Sequence, residues 1–149
     1  MALIDLIEER VIKIPLTGQT KTEVIRELVD VLASAGKIVD PPKALAAVME
    51  RESKGSTGLE EGIAVPHAKT EAVKTLTIAI GISPQGIDFD ALDRKPSQLF
   101  FLMLAPPDQS GPHIEALAEI ARMTRSKAFC RTLIGAQTPR EVVELFQDD

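Results

Sequence analysis

The unbroken apolar run Leu99 to Ala105 constrains this chain more than any other feature. It is closed by polar residues on one side and by Pro106-Pro107 on the other. A run of this length is a strand, and because it does not alternate with polar residues, both of its faces must be buried. A strand covered on both faces needs a layer of structure on each side of its sheet, which points to an α/β fold with helices flanking the sheet. In such sheets ligands and chemistry gather at strand ends.

The rest of the sequence supplies those layers. Thr20 and Glu23 have capping-box spacing ahead of Val24, Ile25, Leu28, Val29 and Leu32, an apolar stripe of helical period that Gly36 ends. Asp40-Pro41-Pro42 opens a second helix, with Ala44, Leu45, Val48 and Met49 as its inner side up to about Arg51. Val11 to Ile14 reads as a short strand. Leu76, Ile78, Ile80 and Ile82 alternate with smaller residues and form another. Ser110-Gly111-Pro112 begins a helix whose Ile114, Leu117, Ala118 and Ala121 share one face. Ser126 precedes a short helix, and Thr138-Pro139-Arg140-Glu141 caps a terminal one carrying Val142, Val143, Leu145 and Phe146 inward.

Arg51 to Ala68, RESKGSTGLEEGIAVPHA, holds the densest chemistry, and one of the chain's two histidines lies there behind a proline. Glycines let backbone N–H groups approach an anion, the hydroxyls of Ser56 and Thr57 add donors, Arg51 offers a planar fork, and a neutral imidazole can be a nucleophile. Pro66 fixes its own φ and biases Val65 to be extended, so His67 would leave the end of a strand in a set direction. The other histidine, His113, falls in the first turn of its helix, where the dipole disfavours the imidazolium and free N–H groups favour an anion. Taken singly, each element also has a plain structural reading: a surface histidine, a turn, an arginine at a helix C-terminus. Lys69 would share a face with His67 in an extended segment, but reads as a solvated lysine.

Composition narrows the partners. The chain of 149 residues has 17 basic and 22 acidic side chains, a net charge of −5, and no Trp or Tyr. This argues against nucleic acid or an anionic membrane as the main partner. No run approaches the 18 or so apolar residues of a membrane span and no targeting peptide is visible, so no direct membrane insertion is expected. The lone Cys130 forms no internal disulfide or metal knuckle, consistent with a cytoplasmic setting. No cofactor or metal is expected either, since the two histidines lack metal-ligand spacing.

The aligned residues Arg51, Glu52, Ser53, Gly55, Ser56, Thr57, Gly58, Gly62, Ile63, Ala64, Val65, Pro66 and His67 resemble the active-site signature of the type 2 (fructose/mannitol-type, including nitrogen-regulatory) enzyme IIA of the bacterial phosphoenolpyruvate-dependent sugar phosphotransferase system. The segment from Gly86 to Pro106, and Pro112-His113-Ile114, are similar to the same family, so the resemblance spans nearly all of residues 1–149 as one domain. Two departures stand out: Glu60, where many members carry a small residue, and Arg94, which replaces the usual glycine. The resemblance implies a three-layer sandwich with a mixed sheet of about five strands and helices on both faces. It further implies that His67 takes a phosphoryl group, on Nε2, from the histidine phosphocarrier protein and passes it to a IIB component. His113 would then donate a hydrogen bond to the group, Arg51 would neutralise its charge, and Ser56 and Thr57 would complete the cradle or orient His67. A regulatory, nitrogen-type IIA that binds target proteins according to its phosphorylation state is the alternative.

Overall fold

A computed structural model describes residues 3–147. Five strands, β1 (Ile12–Lys13), β2 (Ile63–Ala64), β3 (His67–Lys69), β4 (Thr77–Ile87) and β5 (Ser97–Ala105), form one mixed sheet. Five α-helices flank it: α1 (Lys21–Ser34), α2 (Pro41–Ser53), α3 (Ser110–Met123), α4 (Lys127–Ile134) and α5 (Pro139–Gln147). The spatial order is β1-β4-β5-β2, with β3 also beside β5. Strands β4 and β5 are antiparallel, whereas β1 runs parallel to β4, and β2 and β3 run parallel to β5. Every residue from Leu99 to Ala105 is fully buried, so the apolar run is the sheet's centre with both faces covered.

Local signals in the sequence explain most helix starts. Thr20 accepts from the Glu23 N–H at 3.2 Å while the Glu23 carboxylate takes the Gln19 N–H at 2.8 Å. Asp40, Ser126 and Thr138 each accept the N–H three residues on, satisfying donors that a helix leaves open at its N-terminus. The inner face of α1 is Val24, Ile25, Leu28, Val29 and Leu32, as its stripe requires. Helix α2 buries Ala44 and Val48, and in its last turn the carboxylate residue Glu52.

Helix α3 departs from the reading of its period. Its buried residues are His113, Ala116 and Ile120, while Ile114 is 64% exposed and Ala118 and Ala121 face solvent. The helix is rotated relative to that face, with His113 among its core positions.

The edge beside β5 also differs. His67 does not leave a strand end; it opens β3, which keeps the register of β2, with Ile63 opposite Leu99 and His67 opposite Met103. Val65-Pro66 interrupts what is otherwise one strand, because proline has no N–H for the ladder. Outside this edge, the glycine loop folds back antiparallel: the Leu59 N–H donates to the Ile63 carbonyl at 2.7 Å and the Val65 N–H to the Thr57 carbonyl at 3.0 Å.

Candidate functional site

A cleft of about 440 Å³ lies between the C-terminal half of α2, strand β3 and the start of α3. His67, His113 and Arg51 all line it, brought together from positions far apart in the chain. The two imidazoles meet edge to face, with ring centroids 5.5 Å apart.

His67 is half-buried, and its Nδ1 lies 2.8 Å from the Val65 carbonyl oxygen. A carbonyl only accepts, so Nδ1 carries a proton, and in the neutral ring the lone pair is on Nε2. His113 is 4% exposed, and its buried Nε2 has no hydrogen-bond partner among the described residues. Burial, then the His67 ring and then the Lys69 charge push its pKa down from 6.5 to about 4. At neutral pH it is therefore an uncharged ring with one polar atom short of a partner, a state that costs about 1–3 kcal/mol.

Arg51, in the last turn of α2, donates from Nη1 to the Gly55 carbonyl at 2.8 Å. The bond ties its guanidinium to the start of the glycine loop and leaves the other donors of the fork free. Lys54 and Lys69 also line the cleft, against a single acid, Glu50, which sits 3.8 Å from the Lys54 ammonium. This local cationic excess stands on a chain whose net charge is −5. Lys69, which reads from the sequence as a solvated lysine, lines the cleft because the segment after Pro66 is a strand on which residues 67 and 69 share a face.

Ser56 and Thr57 do not line the cleft. The Ser56 hydroxyl donates to the Phe89 carbonyl at 2.7 Å and accepts the Gly58 N–H at 3.0 Å. Thr57 is buried, and its hydroxyl donates to the Glu52 carboxylate. Glycine is required at 58 because a Cβ there would come within 2.8 Å of Ala91 Cα and 3.0 Å of the Phe89 carbonyl. The loop thus packs on residues 89–91 and lies outside the cleft.

The two departures noted in the sequence lie in the turns beside this loop. Arg94 has φ 63°, the left-handed conformation that glycine adopts freely and other residues at a cost of about 1–2 kcal/mol. Glu60 is exposed on the loop surface. Backbone N–H groups of Lys95 and Glu61 bind the Asp93 carboxyl and hold its pKa below the usual range, which links the two turns. Cys130 is buried on α4. Among the described residues, no group of three or more His, Cys, Asp and Glu side chains could hold a metal ion, and no helix is long and apolar enough to cross a membrane.

Residues 5–149 match the sequence model of a family described as phosphoenolpyruvate-dependent sugar phosphotransferase system, EIIA 2. The chain belongs to that EIIA 2 family. Among relatives of this EIIA, the fructose-specific EIIABC component of Bacillus subtilis (strain 168) is 34% identical over 97% of this chain, which spans only 23% of that longer protein. The fructose-specific EIIA component of Haloferax volcanii is 36% identical over 87% of this chain and 84% of its own. Among solved structures, the nitrogen regulatory protein IIA-Ntr from Neisseria meningitidis superposes with a TM-score of 0.88 at 26% identity, covering 96% of this EIIA and 97% of that chain. The family's description names a sugar phosphotransferase system, and the relatives and structures it resembles carry fructose-specific and nitrogen-regulatory names.

Proposed function

We propose that the chain is one EIIA unit whose His67 is the phosphoryl acceptor and donor. The observation that carries this reading is the Nδ1 to Val65 carbonyl hydrogen bond, 2.8 Å long, on a ring that lines the cleft. It leaves Nε2 as the nucleophile. The Nε2 lone pair attacks the phosphorus of a phosphohistidine on the histidine phosphocarrier protein; the new N–P bond forms as the donor's N–P bond breaks in line, and the donor leaves as a neutral imidazole. The phosphorylated ring keeps its Nδ1 proton on Val65, which stabilises the positive charge that develops on the imidazole. In transfer to a IIB component the Nε2–P bond breaks as a bond from phosphorus to the IIB cysteine sulfur forms in line, and His67 regains its Nε2 lone pair.

Phosphoryl transfer needs positioning and charge stabilisation more than covalent help. His113 supplies a desolvated donor beside the acceptor ring, Arg51 a fork matched to phosphoryl oxygens, and Lys69 and Lys54 further positive charge. The fructose-specific names of two relatives favour sugar uptake as the setting. The likeness to IIA-Ntr favours a second reading, regulation by phosphorylation-dependent binding.

The test is transfer of labelled phosphate from the phosphorylated carrier protein to the native chain and to His67→Ala, His113→Ala and Arg51→Ala. An acid-labile, alkali-stable adduct is expected on the native chain and absent only in His67→Ala, with the other two slowed by about 100- to 1000-fold. Full labelling of His67→Ala would overturn the assignment. Recovery of a IIB protein from a pull-down supports the transport setting, and recovery of other phosphorylation-dependent targets the regulatory one.

A further inference from the structure

A buried ionic group lies outside the cleft. Glu52, in the last turn of α2, has a side chain only 3% exposed. Three donors meet its carboxylate: the Lys21 ammonium at 2.8 Å, the Thr57 backbone N–H at 3.3 Å and the Thr57 hydroxyl. Lys21 opens α1, lies over the Phe89 ring at 4.8 Å and approaches Asp90 at 3.6 Å. A carboxylate withdrawn from water persists only where such partners replace its hydration, and an apolar pair would serve stability as well. Its use must therefore be sought in what it holds in place.

It holds Thr57, and Thr57 holds Val65. The Thr57 carbonyl accepts the Val65 N–H at 3.0 Å, and the Val65 carbonyl accepts from His67 Nδ1 at 2.8 Å. Between those two bonds the only soft torsions are those of Val65, and Pro66 restricts Val65 to extended values. Fixing the Val65 N–H therefore fixes the direction of its carbonyl, and with it the tautomer and orientation of the His67 ring. Pro66 is pinned in turn, its carbonyl accepting the Met103 N–H at 3.0 Å.

We infer that Lys21, Glu52 and Thr57 are positioning residues for phosphoryl transfer, acting through the Val65 carbonyl to hold His67 with its proton on Nδ1 and its lone pair on Nε2. The inference rests on the reading of His67 as the phosphoryl acceptor. It gives the threonine of the glycine loop a role it could not have as part of a cradle, since its hydroxyl faces Glu52.

The experiment measures the imidazole 15N shifts of His67, which report the tautomer, together with the rate of transfer from the phosphorylated carrier protein. The variants are Thr57→Val, Thr57→Ser and Glu52→Gln. In the native protein the Nδ1–H tautomer should dominate. Thr57→Val, which loses the hydroxyl but keeps the shape, should show mixed tautomers and transfer slowed by about tenfold, and Thr57→Ser should restore both. A folded Thr57→Val with native shifts and a native rate would overturn the proposal. Should Thr57→Val fail to fold, Glu52→Gln decides by the same two readings. The tautomer comparison needs no phosphate, so a native protein that accepts no phosphoryl group refutes the role of His67 separately from the coupling.

Discussion

Acidification tests the state of His113 most directly. The folded protein holds this ring at a pKa of about 4 against 6.5 for an unperturbed histidine, chiefly through burial and then through the neighbouring His67 and Lys69. Between these values the unfolded chain binds a proton that the folded chain refuses, so stability falls as pH falls. The contribution is fully present above pH 6.5, declines through the window and is lost once pH passes below 4. At about 1.4 kcal/mol per pH unit, the whole window amounts to about 3 kcal/mol, of which about 1 kcal/mol is gone by pH 5.5. Carboxylates also begin to titrate near the lower end, so the measurement must isolate the ring. Denaturant unfolding of native protein and His113→Gln at pH 7, 5.5 and 4 does so, because the amide cannot take a proton. The native protein should lose about 3 kcal/mol more than the variant between pH 7 and 4. Equal losses in the two proteins, or a His113 resonance that titrates near 6.5, would refute the argument that burial keeps this ring neutral.

Two further outcomes follow from the geometry. Lys69→Met removes one of the charges that depress His113, so its titration should move upward yet stay below 6.5, since burial is the larger cause; NMR titration checks the shift, and phosphoryl transfer should slow as the cleft loses a cation. Gly58→Ala pushes a methyl group into the backbone of residues 89–91 and should cost about 1–3 kcal/mol in thermal or denaturant unfolding, whereas Gly111→Ala, with nothing within 4 Å of the new Cβ, should stay within about 0.5 kcal/mol.

What could be read in advance was what a local signal encodes. The run Leu99–Ala105 announced a strand buried on both faces because no residue in it tolerates water, and the capped stripe from Thr20 to Leu32 announced α1 because cap and period agree. The misphased face of α3 shows where such signals mislead: the stripe Ile114, Leu117, Ala118 and Ala121 leaves out His113, whose burial is decided by tertiary packing. Strand β3 was hidden by length and by Pro66, and its existence depends on β5, some 36 positions away in the chain. That His67, Arg51 and His113 meet in one cleft was legible only through the family resemblance, because three elements must pack before the cleft exists and no local signal encodes that packing. The roles of Ser56 and Thr57 were least legible of all. A hydroxyl in a glycine loop says that it can donate; only the positions of Phe89 and Glu52 say to what.

The placement of His67 on an edge strand has a physical reason. Along the interrupted strand, backbone groups alternate in direction: Pro66 and Thr70 bond inward to β5, through Met103 and Ala105, while Ile63 and Val65 bond outward to Leu59 and Thr57. On an interior strand those outward groups would be consumed by a neighbouring ladder. On an edge they are free, and here the glycine loop takes the Val65 N–H but leaves its carbonyl to the histidine ring. The fold thus satisfies an exposed edge and holds the proton of the His67 ring with the same residue. Pro66 completes the arrangement, because the N–H it lacks would have pointed at β5, and its rigid ring restricts Val65, whose carbonyl holds the imidazole. An imidazole on β5, which has β4 on one side and β2 and β3 on the other, would find the nearby carbonyls facing partner strands, so that central strand could present the same side chain but could not set its proton in this way.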